Sequence, residues 1–512
     1  MAIFTVVCVA AACAGDGDAV ITPESTLAPD ITSPTSATTP APTPAPTTTP
    51  ATTPTTPETP TTEVDEVFRS TSVGDPRYPT LGTAGIDVEH YDVALDIDPT
   101  SGRLDATVRI SGTFTVATDQ LSFDLDGPTV RTASVDGDEV DATVEGRDVV
   151  LHLDDVRDVG DGFVAEIAVT SRVEDGPSFG PDAGVFVSDD GLWSVNEPDG
   201  VSTWMPVNDH PTDKATWTFD ITVPTDVEAV ANGELDDITV SGDSTTWTWR
   251  QDDPMASYLV LLLVDDYEFV DDGEIELSSG TVSLHHVVLD GRRDDLEPYI
   301  DVTRRQLEFF DELFGPYPFD RYGLAIADSQ PGLAMETQGL PLFSVADLDG
   351  SLGPLQHLLL AHELAHQWFG DAVSPATWDD IWLNEGFATY AQMLWFDEIG
   401  MSTIEREAEL ALRSLPDDGW PLSAPTELFG TVSYNGGAAA LHALRLTIGD
   451  DDFFALLRRW VVDHDEGTAT TAEFERVAEE VSGRDLGDFF DEWVDSPDGP
   501  PDEYPASATE DG

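Results

Sequence analysis

From about Ile86 to Val270, apolar and polar residues alternate in short runs punctuated by Gly and Asp. Tyr91-Asp-Val-Ala-Leu-Asp-Ile, Leu104-Asp-Ala-Thr-Val-Arg-Ile and Trp217-Thr-Phe-Asp-Ile-Thr-Val are the clearest cases. A period of two with β-branched residues puts alternate side chains on opposite faces of a half-buried strand, so this stretch predicts an antiparallel all-β domain. After about Asp271 the spacing of apolar residues changes to three and four. Val302 to Leu313, Leu355 to Phe369, Gly386 to Ile399, Ser402 to Leu415, Ala438 to Ile448, Asp451 to Val462 and Thr471 to Val481 predict helices, several opening near Ser, Thr or Asp caps. The pattern is that of a multidomain α+β chain, a β-domain over 81–270 followed by a mainly helical domain over 271–497. Residues 498–512 read as a Pro- and acid-rich tail.

The pattern before residue 81 belongs to neither domain. Ala2 to Ala14 form an apolar run shorter than the roughly 20 residues a membrane span needs, and of the length of a signal-peptide core. Within it, Ala10-Ala11-Ala12-Cys13 followed by Ala-Gly-Asp resembles a bacterial lipoprotein cleavage site. A signal peptide over 1–13 is therefore expected, with lipid on Cys13 as the chain's contact with a membrane and an exported destination, at the outer face of the cell membrane or secreted. Between Thr32 and Thr62 there are 15 Thr and 9 Pro in 31 residues, a composition that cannot bury a core. Residues 14–80 are thus expected as a disordered stalk.

Composition narrows the functions open to such a chain. Against 100 Asp+Glu stand 22 Lys+Arg, a formal net charge of −78, and Lys214 is the single lysine. Neutralising nucleic-acid phosphates or adhering to anionic lipid needs clustered positive charge, so both are excluded as partners. The 12 Trp and 23 Phe supply real cores, which a disordered polyanion would lack. The two cysteines, Cys8 and Cys13, both precede the stalk, so no disulfide staples the folded part.

Candidate chemistry is concentrated in Leu359-Leu-Ala-His-Glu-Leu-Ala-His-Gln-Trp-Phe-Gly. On a helix, residues four apart share a face, so His362 and His366 can bind one cation while Glu363 lies beside them. Imidazole nitrogen suits zinc. Eighteen residues separate His366 from Glu385, and Gly370 and Pro375 between them let the chain turn so that a second helix presents Glu385 as a third ligand. Two imidazoles and one carboxylate leave a fourth position for water, as in thermolysin-like peptidases. A carboxylate within reach of an activated water serves as general base, and Glu363 is the group so placed.

With these motifs the chain is identified as resembling the aminopeptidase N family of gluzincin zinc metallopeptidases, over about residues 86 to 495. Asn196-Glu-Pro-Asp-Gly-Val-Ser-Thr-Trp-Met-Pro resembles the family's β-domain substrate segment, Pro331-Gly-Leu-Ala-Met-Glu-Thr its exopeptidase motif, and Val432-Ser-Tyr-Asn-Gly-Gly-Ala its catalytic-tyrosine segment. The resemblance implies an N-terminal β-saddle, a thermolysin-like catalytic domain and one zinc per chain. It implies Tyr434 as hydrogen-bond donor to the developing oxyanion, and Glu336 and Glu197 as carboxylates that bind a free α-ammonium. Backbone around Leu333 and Ala334 is expected to hold the substrate chain. The implied activity is zinc-dependent removal of N-terminal residues from peptides.

Two other functions share parts of this pattern. A thermolysin-like endopeptidase needs the zinc and Glu363 but not Glu197 or Glu336, and a catalytically silent surface binding module that keeps the fold does not require all five of His362, Glu363, His366, Glu385 and Tyr434. The chain also departs from the family motifs. Leu333 and Thr337 replace a glycine and an asparagine of the exopeptidase motif, which is expected to reshape the pocket for the first substrate side chain. Gly436 and Ser202 stand where lysine and arginine are frequent. With no large helical domain after residue 495, an open site admitting longer peptides is expected.

Overall fold

A computed structural model of the chain describes residues 72–173, 183–188, 191–351 and 353–507. Cys13 and the Thr/Pro-rich run lie outside the described residues. The three clearest alternating segments become neighbours in one eight-stranded sheet. Ile86–Asp98 lies between Arg103–Phe114, antiparallel to it, and Ala215–Pro224, parallel to it. Val88, Tyr91, Val93, Leu95 and Ile97 are buried on one face. The Tyr91 ring stacks on Trp217 at 4.0 Å between centroids, in the register that pairs these two residues. Ser244–Met255 and Gly162–Arg172 extend the sheet on either side. Four-stranded and three-stranded sheets complete this β-domain, and the strand Leu192–Val195 of the four-stranded one leads directly into Glu197.

Residues 72–80, expected as part of the stalk, belong to the folded body instead. The Asp75 carboxylate accepts hydrogen bonds from the backbone N–H groups of Arg77, Tyr78 and Trp378 and meets Nε2 of His210. Burial opposes its charge, but these partners win and hold it down to about 2. A carboxylate with that many donors fixes its own segment, whatever the composition of the residues before it.

The helices are α1 (Arg293–Phe314), α2 (Gln356–His366), α3 (Trp382–Glu398), α4 (Ile404–Ser414), α5 (Gly437–Ile448), α6 (Asp450–His464), α7 (Thr471–Ser482) and α8 (Gly487–Trp493). Local capping explains two starts. Thr403 caps α4 through the N–H of Arg406, and Thr470 with Glu473 closes a capping box on α7. α1 begins nine residues earlier than its apolar spacing predicts, because its first turns carry charged residues and Pro298.

The helical half also contains a mixed sheet, formed by Tyr267–Leu277, Gly280–Leu289, Ala325–Ala327, Leu342–Ser344 and Ala334–Met335. Tyr267–Leu277 runs through the domain boundary expected at 270. Its alternation is interrupted by Asp271-Asp272-Gly273, where the pairing with Gly280–Leu289 shifts register. Ala334–Met335 is the last strand in the order and pairs antiparallel with Leu342–Ser344, so among the described residues its other edge carries no strand. The tail packs back onto this half through Tyr504, which stacks on Trp493 at 5.5 Å and donates from its hydroxyl to the Ala408 carbonyl. Among the described residues no helix is long and apolar enough to cross a membrane.

Candidate active site

α2 carries His362, Glu363 and His366, all about 1% exposed. Leu360, Ala361, Leu364 and Ala365 seal the helix among the core side chains. After His366 the chain turns at Gly370, whose φ of +137° favours glycine, and passes a short strand, Val373–Pro375, before α3 presents Glu385. The Glu385 Oε2 atom lies 3.2 Å from His362 Nε2 and 3.5 Å from His366 Nε2. Four atoms arranged tetrahedrally at zinc–ligand lengths of about 2.0–2.1 Å stand about 3.3 Å apart. The donor set therefore fits zinc in both chemistry and spacing. Burial opposes the Glu385 charge, yet the two imidazoles hold it down to about 2. Burial also pulls His362 down to about 4, so its nitrogen is available as a ligand at neutral pH.

Glu336 and Glu197 arrive from two different directions. Glu336 follows the edge strand Ala334–Met335, and Glu197 follows the β-domain strand Leu192–Val195. Carboxylate oxygens of Glu197, Glu336 and Glu385 lie within 4.8 Å of one another. Oε1 of Glu197, of Glu336 and of Glu363 is each buried without a hydrogen-bond partner. Burial raises all three carboxyls, and mutual repulsion adds to the effect for Glu197. Like charges this close and this poorly hydrated call for cations besides the one metal.

Tyr434 stands on a π-helical turn, Val432–Gly436, that feeds α5. Such turns widen a helix locally and re-aim a side chain. Its hydroxyl donates to Glu385 Oε1 at 3.0 Å, and its ring lies parallel to that of His362. Burial keeps the phenol protonated, well above its usual value, so it acts as a donor. The structure thus brings His362, Glu363, His366, Glu385, Glu336, Glu197 and Tyr434 to one place, beside the edge strand that begins just after Leu333.

Several residues that hold this arrangement were not singled out by the sequence. Gln367, fully buried, accepts from the Gly339 N–H at 2.7 Å and donates to the Glu336 carbonyl at 3.2 Å, tying the metal helix to the segment carrying Glu336. Asn232 of the β-domain donates to the Gln338 carbonyl in the same segment. Gly386 and Gly437 form the crossing of α3 with α5. A Cβ on Gly386 would lie 2.7 Å from the Gly437 Cα, so only glycine allows Glu385 and the Tyr434 turn to approach this closely. Gln367 stands within a motif already of interest; Asn232 carries no sequence signal.

Two departures from the family pattern find physical explanations. Thr337 is fully buried and donates to the Leu340 carbonyl at 2.6 Å. It shapes the turn behind Glu336. At Gly436, an added Cβ would meet the Trp420 ring at 3.1 Å, so the indole occupies the direction a longer side chain would take.

Comparison with known proteins bears on this geometry. Residues 299–493 match the description "Peptidase family M1 domain" and residues 191–259 the "Peptidase M1 N-terminal domain". The chain superposes on a crystal structure of an M1 zinc metallopeptidase from Deinococcus radiodurans with a TM-score of 0.78 and 31% identity, covering 85% of this chain and 100% of that one. The chain belongs to the M1 peptidase family. A substituted form of the Deinococcus radiodurans enzyme, described as bound to a Tyr-Ser-Ala substrate, matches with 30% identity and a TM-score of 0.74, covering 84% of this chain and 99% of that one. "Probable aminopeptidase 2" of Sulfurisphaera tokodaii is 29% identical over 314 residues, 57% of this chain and 39% of that protein. The chain thus spans about two fifths of that curated relative. Zinc is the metal for which the M1 structural relatives are named, in agreement with the donor set found here.

Proposed function

We propose that this M1 chain is an aminopeptidase that removes N-terminal residues from peptides. The observation carrying the reading is the pair Glu197 and Glu336. Each is buried with an Oε1 lacking a hydrogen-bond partner, and both stand beside the ligand set His362, His366 and Glu385. A substrate α-ammonium meets that demand, whereas an internal peptide segment brings no positive charge to the two buried carboxylates.

His362, His366 and Glu385 would hold zinc, which when bound supplies Lewis acidity toward water and toward the scissile carbonyl. Glu363 takes the proton of the attacking water and passes it to the departing amine. Tyr434 donates its hydroxyl hydrogen bond to the carbonyl oxygen as charge develops there. Glu197 and Glu336 fix the ammonium, and so determine which peptide bond lies at Glu363. The edge strand Ala334–Met335, with Leu333 before it, holds the substrate backbone.

Support for the activity comes from the similar proteins. The Sulfurisphaera tokodaii relative carries an aminopeptidase name, and the Deinococcus radiodurans structure is described with a tripeptide substrate. The test is a chromogenic panel of aminoacyl amides on the zinc-loaded protein. Hydrolysis abolished by a chelator and restored by zinc is expected; no hydrolysis across the panel would overturn the reading. We further infer export with lipid on Cys13, on the strength of the apolar run and the cleavage-site resemblance. In a lipid-labelling experiment Cys13→Ser is expected to lose the label carried by the parent chain.

A further inference from the structure

Of 22 basic residues in this chain, 21 are arginines, and the exception is Lys214. It lies in the β-domain, one residue before the strand Ala215–Pro224, and reaches across to the turn that leaves the metal helix. Its Nζ donates to the Asp371 carbonyl and to the Ala372 carbonyl, each at 2.8 Å. The preceding carbonyl, of Gly370, accepts from the Tyr258 hydroxyl at 2.9 Å. Three consecutive carbonyls of one turn are thus held by two β-domain side chains.

This turn is the mechanical link between the two halves of the ligand set. On its near side, the Asp371 N–H donates to the His366 carbonyl at 2.9 Å, the Ala372 N–H donates to the Gln367 carbonyl, and His366 Nδ1 meets the Phe369 carbonyl at 3.1 Å. On its far side, Asn384, adjacent to Glu385, donates to the Tyr258 hydroxyl at 3.4 Å. Between them sits the Asp371 carboxylate, fully buried, with neither oxygen hydrogen-bonded. Burial pushes this carboxyl well up, and His366 and Lys214 are the cations that oppose the shift. Lysine concentrates three donors at one point, which suits two adjacent carbonyls, whereas the planar fork of arginine suits a carboxylate.

We propose that Lys214 is a positioning residue for the metal centre, acting from the β-domain through the Gly370–Ala372 turn to set how His366 and Glu385 meet the ion. The inference rests on the zinc ligand set and not on the peptide-cleavage reading, so the two fail separately. It makes the β-domain part of the metal site's scaffold in addition to supplying Glu197. Lys214→Met removes the donors with little change of volume and strands two carbonyls.

The test is zinc affinity of the full chain, measured by competition with a chelating dye, alongside the melting temperature of the metal-stripped protein. Loss of a group that orients a ligand costs about 10–100-fold in metal affinity. K214M is expected to weaken zinc binding by at least 10-fold, and K214R to recover part of the loss. Tyr258→Phe keeps the ring but loses the bond to Gly370, and is expected to weaken binding in the same direction; it serves alone if K214M does not fold. Unchanged zinc affinity in folded K214M, or in Y258F when K214M does not fold, overturns the proposal. A lowered melting temperature with unchanged affinity does the same, since it reduces Lys214 to a staple between domains.

Discussion

Glu363 stands next to His362 with one carboxylate oxygen unmatched, and its assigned role is separable from metal binding. Gln has the same shape but accepts no proton. Glu363→Gln is expected to keep one zinc per chain by elemental analysis while kcat falls by about 10²–10⁴-fold, the range for loss of a general base. Undiminished turnover would refute the assignment, and loss of zinc would move Glu363 into the ligand shell. At this scale the sequence was most informative where spacing encodes geometry. His362, Glu363 and His366 are legible because residues four apart on a helix share a face. Glu336, Glu197 and Tyr434 were legible only through motif resemblance, since no periodicity links three distant segments. Gln367, Asn232 and Lys214 act on backbone carbonyls far away in the chain, and a carbonyl has no letter in the sequence.

The elements hold the site through one close crossing. α3 carries Glu385, α5 follows the turn carrying Tyr434, and they meet at Gly386 and Gly437, where a methyl group would come within 2.7 Å of the opposite backbone. Gly437→Ala is expected to push the helices apart, destabilise the fold by about 1–3 kcal/mol and lower kcat by about 100-fold with less effect on zinc content. Denaturant melts and steady-state kinetics check both parts, and wild-type kcat in G437A would contradict this account of the crossing. Most helices were readable to within a few residues from apolar spacing, with side-chain caps adding support at α4 and α7. The mixed sheet beside the site was not. Ala325–Ala327, Ala334–Met335 and Leu342–Ser344 are two or three residues long and buried throughout, too short to show a period of two.

Over the whole molecule, a formal charge of −78 places a very large number of carboxylates against few cations. Most lie in solvent and repel one another, and added salt screens that repulsion. The melting temperature is therefore expected to rise by more than about 5 °C from low to molar salt; a flat or falling curve would count against self-repulsion as the dominant surface effect. The same excess makes any lone acid weak evidence for function. Glu197 and Glu336 cluster with Glu385 within 4.8 Å, buried and without hydrogen-bond partners for their Oε1 atoms, and the central claim rests on them. It is tested most directly by comparing kcat/KM of the zinc-loaded protein on one peptide with a free N-terminus and on the same peptide N-acetylated. The two buried carboxylates predict a preference of at least about 100-fold for the free amine, the scale on which buried charges left unpaired act. Equal rates on the two peptides would contradict the aminopeptidase reading and leave an endopeptidase.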